Sequence, residues 1–432
     1  MIKKIGIVIA LFSIMGLNAQ NGSVSPYSYF GIGDQRSQGT YENQMMGGIA
    51  VYTDSIHVNL QNPAAYSQLG VQVGDDFDMT VYTAGISHKQ VQLKSFTDQQ
   101  NNRVTNLDYL AIGFSLKKGL GIGFGIKPVS SVGYNLESET TNSNGDIVRN
   151  LYTGSGGLNK VYLSLGWEFA KNLSFGATAN LNFGRLENER VQSVEGVQFG
   201  TLDNRESKVN GVDFNYALNY SPVLKDKYRL FTSLRINTQA NLTSTNTQEI
   251  GSFSLADGSG IETIDVDLDA QVLRRTDLKI PTRTTLGLGF GKEQKWFLGA
   301  EYSLQGLDSF SNEFLAVDNF TYENASSLAF GGFFIPDASP FSSFWKRIVY
   351  RAGIRLDKTG MLVNNVDVNN FGITFGFGIP FARATRSFSN LNIGFELGRR
   401  GTTRADLIEE SYFKVNIGLS LNDFWFHKRK ID

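Results

Sequence analysis

Strict alternation of apolar and polar residues constrains this chain more than any other feature. Val161, Leu163, Leu165, Trp167 and Phe169 alternate with Tyr162, Ser164, Gly166, Glu168 and Ala170. Leu173, Phe175, Ala177, Ala179, Leu181 and Phe183 do the same, as do Phe371 to Ile379, Leu391 to Leu397 and Phe413 to Leu421. A period of two places every apolar side chain of a strand on one face of the sheet. The runs are roughly 9–12 residues long, the length of a tilted membrane-crossing strand. They predict an all-β chain of about fourteen strands, a number typical of antiparallel transmembrane barrels. The strands are placed near 77–89, 107–117, 120–135, 158–169, 173–187, 208–220, 228–241, 283–291, 295–307, 325–334, 348–358, 371–380, 388–399 and 410–422.

Alternation alone fits a soluble barrel as well as a membrane one, so the polar face has to decide. A water-facing exterior carries many charges. Here that face is mostly Gly, Ser, Thr and Asn, which turns the apolar face toward lipid. The 46 glycines, 32 phenylalanines and 17 tyrosines fit the same reading. Links alternate as well. Those at 117–120, 171–172, 221–227 and 292–294 are short, and those at 90–106, 136–157, 188–207 and 242–282 are long. Short turns on one side and long loops on the other mark an outer-membrane barrel with both termini in the periplasm. Trp167, Trp296, Trp345 and Trp425 fall near strand ends, where an interfacial girdle belongs.

Residues 1–19 read as a secretory signal peptide: Lys3 and Lys4 precede an apolar run from Ile5 to Leu17, and Ala19 precedes the cut. Residues 20–76 have no clean period and contain the turn-forming Asn62-Pro63-Ala64-Ala65, so they need an enclosing surface. The expected organisation is this N-terminal segment as a hatch in the lumen, a barrel over 77–422, and a basic periplasmic tail over 423–432. The location is the outer membrane of a Gram-negative bacterium.

Forty basic and 41 acidic residues nearly cancel, which argues against a nucleic-acid binder. Cysteine is absent, so there is no disulfide framework and no thiol nucleophile. Three histidines are present, and only His57 has Ser and Asp close by, in Thr53-Asp54-Ser55-Ile56-His57. Neighbours one to three residues apart do not form a triad, so no enzyme is expected. The acidic link 242–282 lacks a calcium-loop spacing. Neither metal nor cofactor is expected.

Several stretches resemble one family. Gly47-Gly48 leading to Asn62-Pro63-Ala64-Ala65 is similar to the hatch of FadL-type outer-membrane transporters of hydrophobic compounds. Ile280-Pro281-Thr282-Arg283 with Leu286 to Phe290, and Tyr350 to Arg355, resemble later strands of that family. The resemblance implies a fourteen-stranded barrel, a hatch marked by Gly47, Gly48, Asn62, Pro63 and Ala64, and uptake of molecules such as long-chain fatty acids. It implies a wall opening in the third strand, where Pro128, Ser130 and Ser131 lie, since proline removes a ladder donor. Tyr27, Tyr29, Phe30, Ile49 and Val51 are candidates to line an apolar pocket beside the hatch. The segments Ser25 to Gly31, Gly398 to Thr402 and Asn422 to Lys430 resemble a branch from bacteria with a type 9 secretion system. That branch implies an alternative role, a barrel attached to a large translocon barrel. The expected partners are therefore outer-membrane lipid, a hydrophobic small molecule and that translocon.

Overall fold

The computed structural model describes residues 22–73, 76–256, 259–317, 319–339, 341–380 and 388–423. The expected signal peptide, most of the basic tail, Trp425 and residues 381–387 lie outside the described residues.

The alternating runs form a closed antiparallel barrel of 14 strands. They are β1 (Thr80–Lys94), β2 (Gln99–Lys117), β3 (Leu120–Pro128 and Ser130–Thr141), β4 (Ile147–Ala170) and β5 (Leu173–Val194). Then come β6 (Phe199–Tyr220), β7 (Tyr228–Asn237 and Ala240–Ser254), β8 (Arg275–Ile280 and Arg283–Lys292), β9 (Trp296–Gln305) and β10 (Ala325–Phe334). The last four are β11 (Val349–Val363), β12 (Val366–Pro380), β13 (Asn390–Arg400) and β14 (Glu409–Asp423). Closure comes from β14 against β1, with Glu409 opposite Lys94 and Asp423 opposite Thr80.

The pleat sorts side chains as the alternation requires. On β4, Leu163 is 59 % exposed and Ser164 3 %. Leu165, Trp167 and Phe169 share the outer face, while Thr178, Asn180 and Asn182 of β5 turn inward and are buried. The outer belt is therefore apolar and the inner wall polar, the reverse of a soluble barrel. Trp167, Trp296 and Trp345 lie at the end where the short turns are, and all but Trp296 are largely exposed.

One expectation is corrected. The long loops placed at 90–106, 136–157 and 188–207 are mostly paired strand, and the joins shrink to 95–98, 142–146 and 195–198. β4 has 24 residues and β5 and β6 have 22 each, about twice what a bilayer crossing needs. The projecting parts have polar side chains on both faces, which erases the alternation while leaving the backbone ladder intact. Cross-strand pairs such as Arg185–Glu206 at 2.8 Å support them. The link 242–282 contains an outer hairpin in which Gly260–Asp265 pairs with β7.

Candidate functional site

Within the ring, residues 22–69 touch inward-facing side chains on most strands. At the long-strand end, the Tyr27 hydroxyl donates to the Ile408 carbonyl at 2.6 Å, and Arg400 reaches Asp34 at 2.6 Å. Midway, the Tyr41 hydroxyl donates to Asp108 on β2 at 2.7 Å, and Asp108 also pairs with Arg36. Asn392 of β13 donates to Glu42 at 2.8 Å. Ala50 N–H donates to Glu301 of β9 at 2.8 Å, and that carboxylate pairs with Arg235 of β7. Toward the short-turn end, Ser67 donates to Ser174 of β5 at 2.9 Å. Those of Tyr41, Glu42, Ala50 and Ser67 are buried, where an unmet partner costs about 1–3 kcal/mol, so each of these bonds fixes the segment's position.

Glycine on the wall lets the segment come this close. A Cβ at Gly353 of β11 would lie 2.2 Å from Gly47 N, and one at Gly176 of β5 would lie 2.2 Å from Ala64 N. Gly47 itself has φ +73°, in the left-handed region where other residues are strained.

The residues singled out from the sequence fall into distinct roles. Gly47 N–H donates to Thr374 at 2.9 Å, and Gly48 borders an inner chamber. Asn62 donates to Asn219 of β6 at 3.1 Å; Pro63 and Ala64 begin a buried 3-10 turn, Pro63–Gln68. The five pocket candidates are divided among three packed groups. Ile49 and Val51 pack with Phe231, Phe297 and Phe333; Tyr27 and Phe30 with Met361 and Val363; and Tyr29 with Tyr134 and Tyr152. None of the five borders the cleft beside β3 or the inner charged chamber.

β3 is broken where Pro128 stands. Its first part pairs with β2 from Leu120 to Ile126, and its second part has no ladder to β2. Instead Asp34 and Gln35 pair with Ser131 and Ser130, and the Ser130 hydroxyl donates to the Ile32 carbonyl at 2.6 Å. The wall is thus interrupted between β2 and the second half of β3. A cleft of about 1730 Å³ lies there, bordered by Val24, Leu93, Asn102, Asn135 and Tyr412.

The charged interior was not expected from the sequence. A chamber of about 350 Å³ is bordered by Arg36, Lys127, Arg235, Glu301, Arg355 and Glu396, among others. Arg355 pairs with Asp357 at 2.7 Å and Glu396 at 3.0 Å, while Lys127 donates to the Leu60 carbonyl at 2.9 Å. The signal was there for the wall: Lys127, Arg235, Glu301, Arg355 and Glu396 each occupy a polar-face position of an alternating run, whereas Arg36 comes from the N-terminal segment.

His57 Nδ1 stands 2.7 Å from Asp54, and Nε2 is 3.5 Å from the Asn390 amide. Among the described residues no hydroxyl is placed on this imidazole as a nucleophile would be. Burial disfavours the charged ring, but the Asp54 carboxylate and its hydrogen bond outweigh it and raise the His57 pKa. Burial likewise opposes the Asp54 charge, and His57 more than offsets it, so that pKa is lowered. The imidazolium's contribution to seating is full below the usual imidazole range and fades as pH rises through the raised value. Asp54's contribution is full above the usual carboxylate range and fades as pH falls through the lowered value. Protection of the N-terminal segment from protease is therefore expected to be greatest between about pH 4 and 6.5 and to weaken above it. His57→Gln should flatten the alkaline side; an unchanged profile would show that the pair does not seat the segment.

The barrel's shape has counterparts among solved structures. The monoaromatic hydrocarbon channel CymD is similar with a TM-score of 0.56 at 12 % identity, covering 92 % of this chain and 100 % of that one. A Pseudomonas aeruginosa FadL homologue gives 0.56 at 11 % identity, covering 92 % and 99 %. The Ralstonia pickettii toluene transporter TbuX gives 0.55 at 13 %, covering 90 % and 99 %. At such identities the likeness is one of fold. No curated protein matches the sequence. A family model described as BamG matches residues 1–432, and this chain, with the fold of the FadL-type channels, belongs to the BamG family.

Proposed function

We propose that this barrel passes hydrophobic small molecules, long-chain fatty acids among them, through the outer membrane of a Gram-negative bacterium, with residues 22–69 as its hatch. The observation that carries this reading is the interrupted wall at Pro128, Ser130 and Ser131. It begins at the height of Leu107 and Leu110, whose side chains face outward and are exposed. An apolar molecule gains about 25 cal/mol for each Å² it buries, which a lipid-level exit preserves. The charged chamber below offers no such gain and would have to shed hydration to admit it. The route is therefore sideways, from the outer cleft to the bilayer. Uptake of radiolabelled oleate by a deletion strain is expected to fall well below that of the complemented strain. Equal uptake would overturn the proposal.

A second reading is a barrel attached to a large translocon barrel, as in type 9 secretion, with no small-molecule traffic. The dense bonding of residues 22–69 to the wall favours it, because a sealed lumen suits a scaffold. Purification of a tagged chain from outer membranes separates the two: stoichiometric recovery with a larger barrel supports the scaffold.

A further inference from the structure

The break in β3 leaves two strand edges facing each other across the cleft. On β2, the ladder to β3 ends at Leu110, so among the described residues the edge from Gln99 to Tyr109 pairs only with β1. On β3, Asp34 and Gln35 cover Ser131 and Ser130, and Ser28 accepts from Gly133 N–H at 3.1 Å. Beyond that point, Asn135 to Thr141 pair among the described residues only with β4. Natural sheets cover free edges or blunt them with charge, proline or bulges. Neither edge contains proline; Gln99 to Asn102 has no charge, and the charges along the two edges are Arg103 and Asp108 on β2 and Glu137 and Glu139 on β3.

We propose that this slot receives an extended polypeptide strand from a partner, which completes the sheet between β2 and β3. The chemistry of the edges selects the occupant: alternating N–H and C=O groups on two sides are matched by another backbone and not by a hydrocarbon. The side chains agree, since Gln92, Gln100, Asn101, Asn102 and Asn135 border the cleft with amides that donate and accept. The molecule already makes the same addition once, where Asp34–Gln35 joins the β3 edge at Ser130–Ser131. The slot continues that line outward. The partner segment is a run of about seven residues, extending about 24 Å at 3.4 Å per residue, with little net charge. This assignment holds whether or not the barrel transports anything.

The test places a strand of about seven alternating Thr and Val residues ahead of Gly22, on a Gly-Ser linker of about twelve residues. The linker holds the strand near millimolar effective concentration, so generic backbone affinity suffices. Hydrogen–deuterium exchange of the detergent-solubilised full chain is the readout. Slot-facing amides within Gln99–Tyr109 and Asn135–Thr141 should exchange at least about tenfold more slowly than in the parent. A control strand with proline at alternate positions, lacking those donors, should give no protection. The proposal is overturned if exchange does not change, if the proline strand protects equally, or if the parent's edge amides are already slow. It is also overturned if dodecane alone protects both edges as well as the strand does, which would make the slot an apolar passage only.

Discussion

Gly353→Val is expected to unseat the N-terminal segment while leaving the barrel standing. The new Cβ would sit 2.2 Å from Gly47 N and 2.3 Å from Met46 C, both backbone atoms that cannot swing aside as a side chain can. Overpacking a well-filled site costs about 1–3 kcal/mol, and here the cheapest escape is for the segment to lift away from β11. Arg36 gives a clean readout, because it is the one trypsin site between residues 22 and 70. In the parent its guanidinium is held on buried Asp108. Cleavage there should speed up at least about tenfold, following the population of the open form. The barrel should keep its heat-modifiable migration. Ala352→Val, on the outward face one position away, should leave cleavage unchanged. Continued protection of Arg36 in Gly353→Val would mean that the segment does not depend on this contact.

Glu301→Ala should be the most destabilising single change in the lumen. Its carboxylate accepts from Ala50 N–H and pairs with Arg235, and both side chains are at most 7 % exposed. Removing one member of a buried pair strands the other's charge, typically at a cost of about 3–5 kcal/mol. Arg235 retains only its 3.1 Å bond to Gln61 beside the vacated carboxylate. The double variant Arg235→Leu, Glu301→Leu removes the stranded charge and should recover most of the loss. Recovery will be incomplete, because Ala50 N–H still lacks its acceptor, at a cost of about 1 kcal/mol or more. Urea midpoints of the protein folded into lipid vesicles would show the ordering. Equal midpoints for the single and double variants would show that the pair does not hold the N-terminal segment.

Strand identity and facing were legible in the chain because both are local. A pleated backbone sends successive side chains to opposite sides, so Leu163 and Ser164 announce their faces without reference to anything distant. The polar extensions, such as Gln99 to Arg103 and Glu187 to Gln192, gave no such signal. Their pairing rests on backbone hydrogen bonds that any residue but proline supplies, and so they read as loops. The break at Pro128 was visible as a missing donor, but its consequence was not. Whether β2 and the second half of β3 part or rejoin depends on how Asp34 and Gln35 intervene, from nearly a hundred residues away in the chain.

The sequence by itself determined a lipid-facing barrel and its number of strands, and left residues 22–69 without a period of their own, since periodicity acts over a few neighbouring residues. Only the tertiary structure decided what that segment meets. Glu42 finds Asn392, Ala50 finds Glu301, and the five aromatic and aliphatic pocket candidates scatter into three packed groups. Closing the ring sets which inward side chains face one another, and that closure is fixed by register and shear summed over every strand. No local stretch contains that sum, so the charged chamber and the open slot beside β2 became readable only in the folded chain.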